Sequence, residues 1–136
     1  MGGGAGGIER FSSGGAWEAR FGYSRAVRAG DLVLVAGTTA IDEDGIVRGI
    51  GDAAAQTAFV LDRIEAALAL AGARMEDVVQ TRMFVTDMSR AEEIGRVHGE
   101  RFADHPPVSA MVQVAALIDP RMLVEIEAVA YLGAQR

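Results

Sequence analysis

Hydrophobic and polar positions change period several times along the chain, and each change marks an element. Tyr23 to Ala29 has the make-up of a strand. Ala29-Gly30-Asp31 is a turn signal, and the β-branched run from Asp31 to Thr38 predicts a buried strand. Phe11 to Gly15 predicts a short edge strand and turn, and Ile46 to Arg48 a short strand after the turn Glu43-Asp44-Gly45. From Asp52 onward the period lengthens. Phe59, Ile64, Ala67 and Leu68 share one helical face, with Val60, Leu61 and Ala71 beside it; Asp52 is the N-cap and Gly72 the left-handed stop. Val78 to Thr86 alternates again, with Val79, Thr81, Met83 and Val85 on one side and Val78, Gln80, Arg82 and Phe84 on the other. Ser89-Arg90-Ala91-Glu92 is a capping box opening a second helix that runs to about Phe102. His105-Pro106-Pro107 stops any helix. Val108 to Ala116 and Leu123 to Leu132 are the last two strands, joined through Ile118-Asp119-Pro120-Arg121.

The order β-β-β-α-β-α-β-β predicts an α+β subunit of two layers, a mixed sheet of about six strands with two helices on one face. Residues 1–10 read as a flexible glycine-rich tail and residues 11–136 as a single domain. In the final strand Val124, Ile126, Ala128 and Ala130 suit a helix-covered face. Leu123, Glu125, Glu127 and Val129 point the other way, and that apolar and acidic mixture predicts a face covered by a partner subunit.

Composition narrows the chemistry. Half of the 136 residues are hydrophobic, enough for a packed core, and 13 basic against 19 acidic residues leave a net charge of −6, which repels phosphate backbones and argues against nucleic acid as a partner. The absence of cysteine excludes disulfides and thiolate chemistry and fits a reducing cytosol. The two histidines have no carboxylate at ligand spacing, so no metal is expected. Ala66 to Ala73 is too short to span a membrane, and Met1 to Gly7 has no secretory pattern, so a soluble, cytoplasmic protein without membrane partners is expected.

Five stretches in order resemble the Rid (YjgF-type) family of reactive-intermediate deaminases. They are Gly22-Tyr23-Ser24-Arg25-Ala26-Val27-Arg28-Ala29-Gly30, Val35-Ala36-Gly37-Thr38, the helix opened by Gln56, Val78 through Met88, and Val124-Glu125-Ile126-Glu127-Ala128-Val129-Ala130. Pro106-Pro107-Val108-Ser109-Ala110-Met111-Val112-Gln113-Val114-Ala115 has the layout of that family's ligand-binding segment. The resemblance implies a homotrimer of chorismate-mutase-like subunits, small-molecule metabolites bound between subunits, and hydrolysis of an imine or enamine without cofactor. It also implies a pocket arginine that holds the substrate carboxylate. Here that position is Ser109, the glutamine after Gly37 is Thr38, and the helical asparagine and tyrosine are Gly95 and His98. The chain therefore resembles a branch without the pocket arginine, for which 2-aminoacrylate is not the expected substrate.

On the resemblance, Glu125 and Ser109 are the catalytic candidates, Glu125 to position water and the Ser109 segment to polarise the substrate. Tyr23, Arg25, Thr38, Arg82, His98 and Val108 are the ligand-binding candidates. Each has a plainer alternative: an interface ion pair for Glu125, subunit packing for Tyr23, a surface pair for Arg82, a packed helix residue for His98. Trp17 and Phe21 are candidates for packing across the interface. A trimer that binds a small ligand without chemistry is the alternative to the hydrolase, and the ribonuclease activity sometimes attached to this family is a second, disfavoured by the acidic charge.

Overall fold

The computed structural model describes residues 7–133. Its elements are β1 (Ile8–Phe11), α1 (Ala16–Phe21), β2 (Ala26–Ala29), β3 (Leu32–Thr38), α2 (Ala53–Leu70), β4 (Val78–Val85), α3 (Ala91–Arg101), β5 (Val108–Gln113) and β6 (Val124–Tyr131). The strands form one sheet in the order β1-β2-β3-β6-β4-β5, antiparallel throughout except for the parallel pair β4–β5. This is the mixed six-stranded α+β architecture that the periodicity predicts.

Helix α2 forms where the spacing places it. The Asp52 carboxylate accepts the Ala55 N–H at 2.9 Å, and Gly72, at φ +82°, follows the last turn. Val60, Leu61, Ile64 and Leu68 are fully enclosed, packed with Val33 and Val35 of β3 and Ile126 and Ala128 of β6. Each such side chain contributes about 1.5–3 kcal/mol by leaving water. Gln56, also fully buried, is a polar residue beside this core. Its amide donates to the Arg121 carbonyl at 2.9 Å and accepts the Leu123 N–H at 2.8 Å, fixing the residues that lead into β6.

Register then decides which side chains meet. Val124, Ile126, Ala128 and Ala130 are buried, as the alternation requires. In β4 a register shift between Val78 and Gln80 puts Val78 on the same buried side as Thr81, Met83 and Val85, although strict alternation separates them. On the other side of the sheet Leu32, Leu34, Val112 and Tyr131 remain substantially exposed.

Four expectations are corrected. The first strand starts at Ile8, not Phe11, because Ile8–Phe11 pairs with β2, so residues 8–10 belong to the sheet and not to a tail; Met1–Gly6 lie outside the described residues. The region before β2 holds α1, closed by Gly22. The capping box does not form. Ser89 instead donates its hydroxyl to Asp87 at 2.7 Å, Asp87 caps a 3-10 turn over Met88–Arg90, and α3 begins at Ala91. The short strand at Ile46–Arg48 reduces to a single bridge between Ile41 and Val47. No helix among the described residues is long and apolar enough to cross a membrane.

Candidate functional site

Glu125 lies on the face of β6 opposite Ile126, and its carboxylate presses against the backbone of β3 at Gly37. A β-carbon at residue 37 would fall 2.1 Å from Oε2, so only glycine accommodates the carboxylate as placed. Gly37 falls in the stretch where the β3–β6 register shifts. Burial pushes the Glu125 pKa above the ordinary glutamate value, the neighbouring Glu127 adds to the rise, and Arg25 opposes it.

Arg25 is almost wholly buried; its Nη2 donates to the Gly37 carbonyl at 2.8 Å, while its buried Nε has no hydrogen-bond partner. The guanidinium sits 5.9 Å from the Tyr23 ring centroid. Glu18, on α1, accepts from the Ser12 and Ser13 hydroxyls and the Ser13 N–H. Burial raises its pKa, but those bonds and the Arg25 charge outweigh burial and hold the carboxyl below its usual range. Arg63 reaches in from α2 and donates to the Thr39 carbonyl at 2.8 Å. Tyr23, Arg25, Gly37, Arg63, Glu18 and Glu125 all line one cavity of about 1310 Å³. Its polar wall thus includes Arg25, Arg48 and Arg63 with Glu18, Glu43 and Glu125, and the Glu125 carboxylate is half-buried with a raised pKa.

The other candidates lie elsewhere. Ser109 pairs with Thr81 across the parallel β4–β5 ladder and shares its side of the sheet. The Thr81 hydroxyl donates to Ser109 Oγ at 2.8 Å and contacts His98 Nε2 at 2.8 Å. Burial lowers the His98 pKa, which keeps the imidazole neutral at neutral pH. Because Thr81 faces the helix layer and Glu125 the opposite side, Ser109 and Glu125 lie on opposite faces of the sheet within one subunit. Arg82 pairs with Glu127 at 2.8 Å, both partly exposed. Thr38 is buried, and its hydroxyl donates to the Ala36 carbonyl at 2.7 Å. Val108 is exposed on the β5 edge. None of Ser109, Thr38, Arg82, His98 and Val108 lines the Glu125 cavity.

Arg63, Glu18 and Thr81 carry interactions that the sequence pattern does not announce. Arg63 and Glu18 belong to helices whose polar positions all look alike, and Thr81 reads simply as a strand residue. Trp17 and Phe21 stack at 5.2 Å on α1, with Arg20 over both rings. Among the described residues no group of three or more metal-ligating side chains is assembled.

Comparison with known proteins joins this geometry to a family. The family model described as Endoribonuclease L-PSP matches residues 14–132. An uncharacterized protein of Streptomyces coelicolor is 40% identical over 127 residues, covering 93% of this chain and 94% of its own. The 3-aminoacrylate deaminase RutC of Acinetobacter baylyi is 37% identical over 110 residues, covering 81% of this chain and 86% of its own. The crystal structure of a Mycobacterium tuberculosis protein of the YjgF family superposes with a TM-score of 0.82 at 52% identity, covering 91% of this chain and 98% of that one.

Proposed function

This chain belongs to the endoribonuclease L-PSP family, the Rid or YjgF family, and from that premise we propose that it hydrolyses the C=N bond of a small imine, or the imine form of an enamine, in pockets shared between copies of the chain. The observation that carries the reading is the Glu125 carboxylate, held against Gly37 beside Arg25 with its pKa raised by burial. A carboxylate with a raised pKa is a stronger base than an ordinary glutamate. Water adds its oxygen to the imine carbon and gives one proton to Glu125, which passes it to the nitrogen to leave a carbinolamine. Glu125 then takes the carbinolamine hydroxyl proton as the carbonyl forms and hands it to the departing nitrogen, so the products are a carbonyl compound and ammonia. Deamination by the Acinetobacter relative belongs to the same reaction class and supports the assignment.

Ser109 and Glu125 lie on opposite sheet faces, so a site using both takes them from two copies. The exposed apolar side chains Leu32, Leu34, Val112 and Tyr131 supply a surface on which copies can meet, and the family resemblance makes the assembly a homotrimer. With Ser109 where a cation holds the substrate carboxylate elsewhere in the family, 2-aminoacrylate is not the preferred substrate.

The test generates short-lived imino acids in situ with an amino-acid oxidase and follows ketoacid release. The native protein should accelerate release, and Glu125→Gln should lower the catalysed rate by about 10²-fold or more, the usual range for a general base. An unchanged rate in Glu125→Gln would remove Glu125 from the mechanism. Saturable binding of small metabolites with no turnover of any imine would mark a binding protein instead.

A further inference from the structure

Two guanidiniums on the cavity wall lack a carboxylate partner. Arg25 Nη2 donates to the Gly37 carbonyl and Arg63 Nη1 to the Thr39 carbonyl, both at 2.8 Å, so the two arginines are tied to carbonyls two residues apart. Neither forms a salt bridge among the described residues, whereas Arg48, Arg82 and Arg101 do. Arg25 is 5% exposed, and its buried Nε has no hydrogen-bond partner. Burial lowers the Arg63 pKa, and the Arg25 charge lowers it further. Of the carboxylates beside them, Glu18 has its oxygens engaged by Ser12 and Ser13, and Glu125 is pushed by burial toward its neutral form. Asp42 is paired with Arg48, while Glu43 and Asp44 are exposed, where water screens them. Two positive charges thus face one carboxylate held firmly ionised, Glu18. Much of the remaining wall is apolar: Trp17, Phe21, Phe59, Leu70 and Ile118 line the same cavity. The space, about 1310 Å³, is of the size that holds drug-sized ligands and far exceeds what a three-carbon imino acid fills.

We propose that Arg25 and Arg63 together hold the carboxylate of an organic acid inside the cavity of a single chain, with an apolar or aromatic body lying along Phe59, Leu70 and Ile118. As the substrate class of the reaction above, this rests on that reading: the substrate is then the imine of a bulky apolar amino acid and not of a three-carbon one. A planar carboxylate matches the guanidinium fork, and a site shielded from water strengthens the pairing. An uncharged analogue leaves the two like charges facing each other without the anion that relieves them. Glu125 lines the same cavity, so the held carboxylate, the imine carbon and the base share one compartment.

The probes are 3-phenylpropanoate, its uncharged amide 3-phenylpropanamide, and propanoate, which keeps the charge and lacks the ring. Titrated calorimetrically into the native protein, 3-phenylpropanoate should bind more tightly than either of the others by about tenfold or more. Arg63→Gln, at a partly exposed position that leaves the core intact, should bring the acid down to the level of the amide, and Arg63→Lys should restore part of the difference. Arg25→Gln should act as Arg63→Gln does; if it fails to fold, Arg63→Gln decides. Leu70→Ser, also exposed, should weaken 3-phenylpropanoate and leave propanoate as it is. Equal or reversed preference between acid and amide in the native protein, binding of none of the three, or an unchanged preference in Arg63→Gln would each overturn the proposal. Because no turnover is read, a protein that prefers the acid through Arg63 yet hydrolyses no imine overturns the proposed reaction and leaves the paired-arginine site standing. Imine hydrolysis without that preference overturns this inference alone.

Discussion

At the scale of single residues, Glu125 and Gly37 form one unit split across two strands. In Gly37→Ala the new methyl meets the end of a flexible side chain, so the carboxylate swings away while the backbone stays. The variant should keep its melting temperature within a few degrees and lose most hydrolytic activity, as calorimetry and the oxidase-coupled assay will show. The raised pKa of Glu125 also fixes two pH dependences. As a base it must be ionised, so activity should fall as pH drops through a value above 4.5, the ordinary glutamate figure. For stability the sign is opposite. The folded state favours the protonated form, so that stabilisation is complete below the unfolded pKa and is lost as pH rises through the folded one. Glu125→Gln should therefore melt higher than the native protein at pH 7 and level with it near pH 4. Glu125, Tyr23 and Arg25 were legible as candidates because they fall in stretches with recognisable neighbours. Arg63 was not, since a long side chain on a helix reaches its target by a path that spacing does not encode. Nor was the division of the candidates, because which sheet face a residue takes depends on register.

At the scale of elements, α2 and the strand alternations were readable because burial of one face imposes a period. What was missed lacks one. Helix α1 has six residues, too few to display helical spacing, and it owes its end to Gly22. The shift at Val78–Gln80 reverses the strand's sides without changing its composition. Asp87, two residues ahead of the apparent capping box, takes the Ser89 hydroxyl and so moves the helix start. Gln56 adds polar anchoring to an element that also packs by its apolar face. Gln56→Leu keeps the volume but leaves the Leu123 N–H and the Arg121 carbonyl without the partners they now have. Chemical denaturation should register a loss of about 2–4 kcal/mol, the sum of two stranded backbone groups. Because those groups lead into β6, hydrolytic activity should fall as well.

At the scale of the whole molecule, the exposed apolar side of the sheet, with Leu34 43% accessible, is the surface on which self-association is expected. Leu34→Glu places a charge at its middle, in β3 beside β6. Sedimentation should find a trimer for the native chain and monomer for the variant, and imine hydrolysis should disappear with the assembly although the Glu125 cavity is untouched. The sequence predicted a covered face from the mixture in β6, but the partner strands of that face became visible only once the strand order was known. That order has one more consequence, in time. β6 is the last strand to be made, yet it lies between β3 and β4. Until it arrives, the sheet exists only as two unconnected pieces, β1-β2-β3 and β4-β5, each with a bare inner edge. A ribosome must therefore deliver almost all of the described residues before the fold can close, and the nascent chain carries the open inner edge of β3 through most of its synthesis.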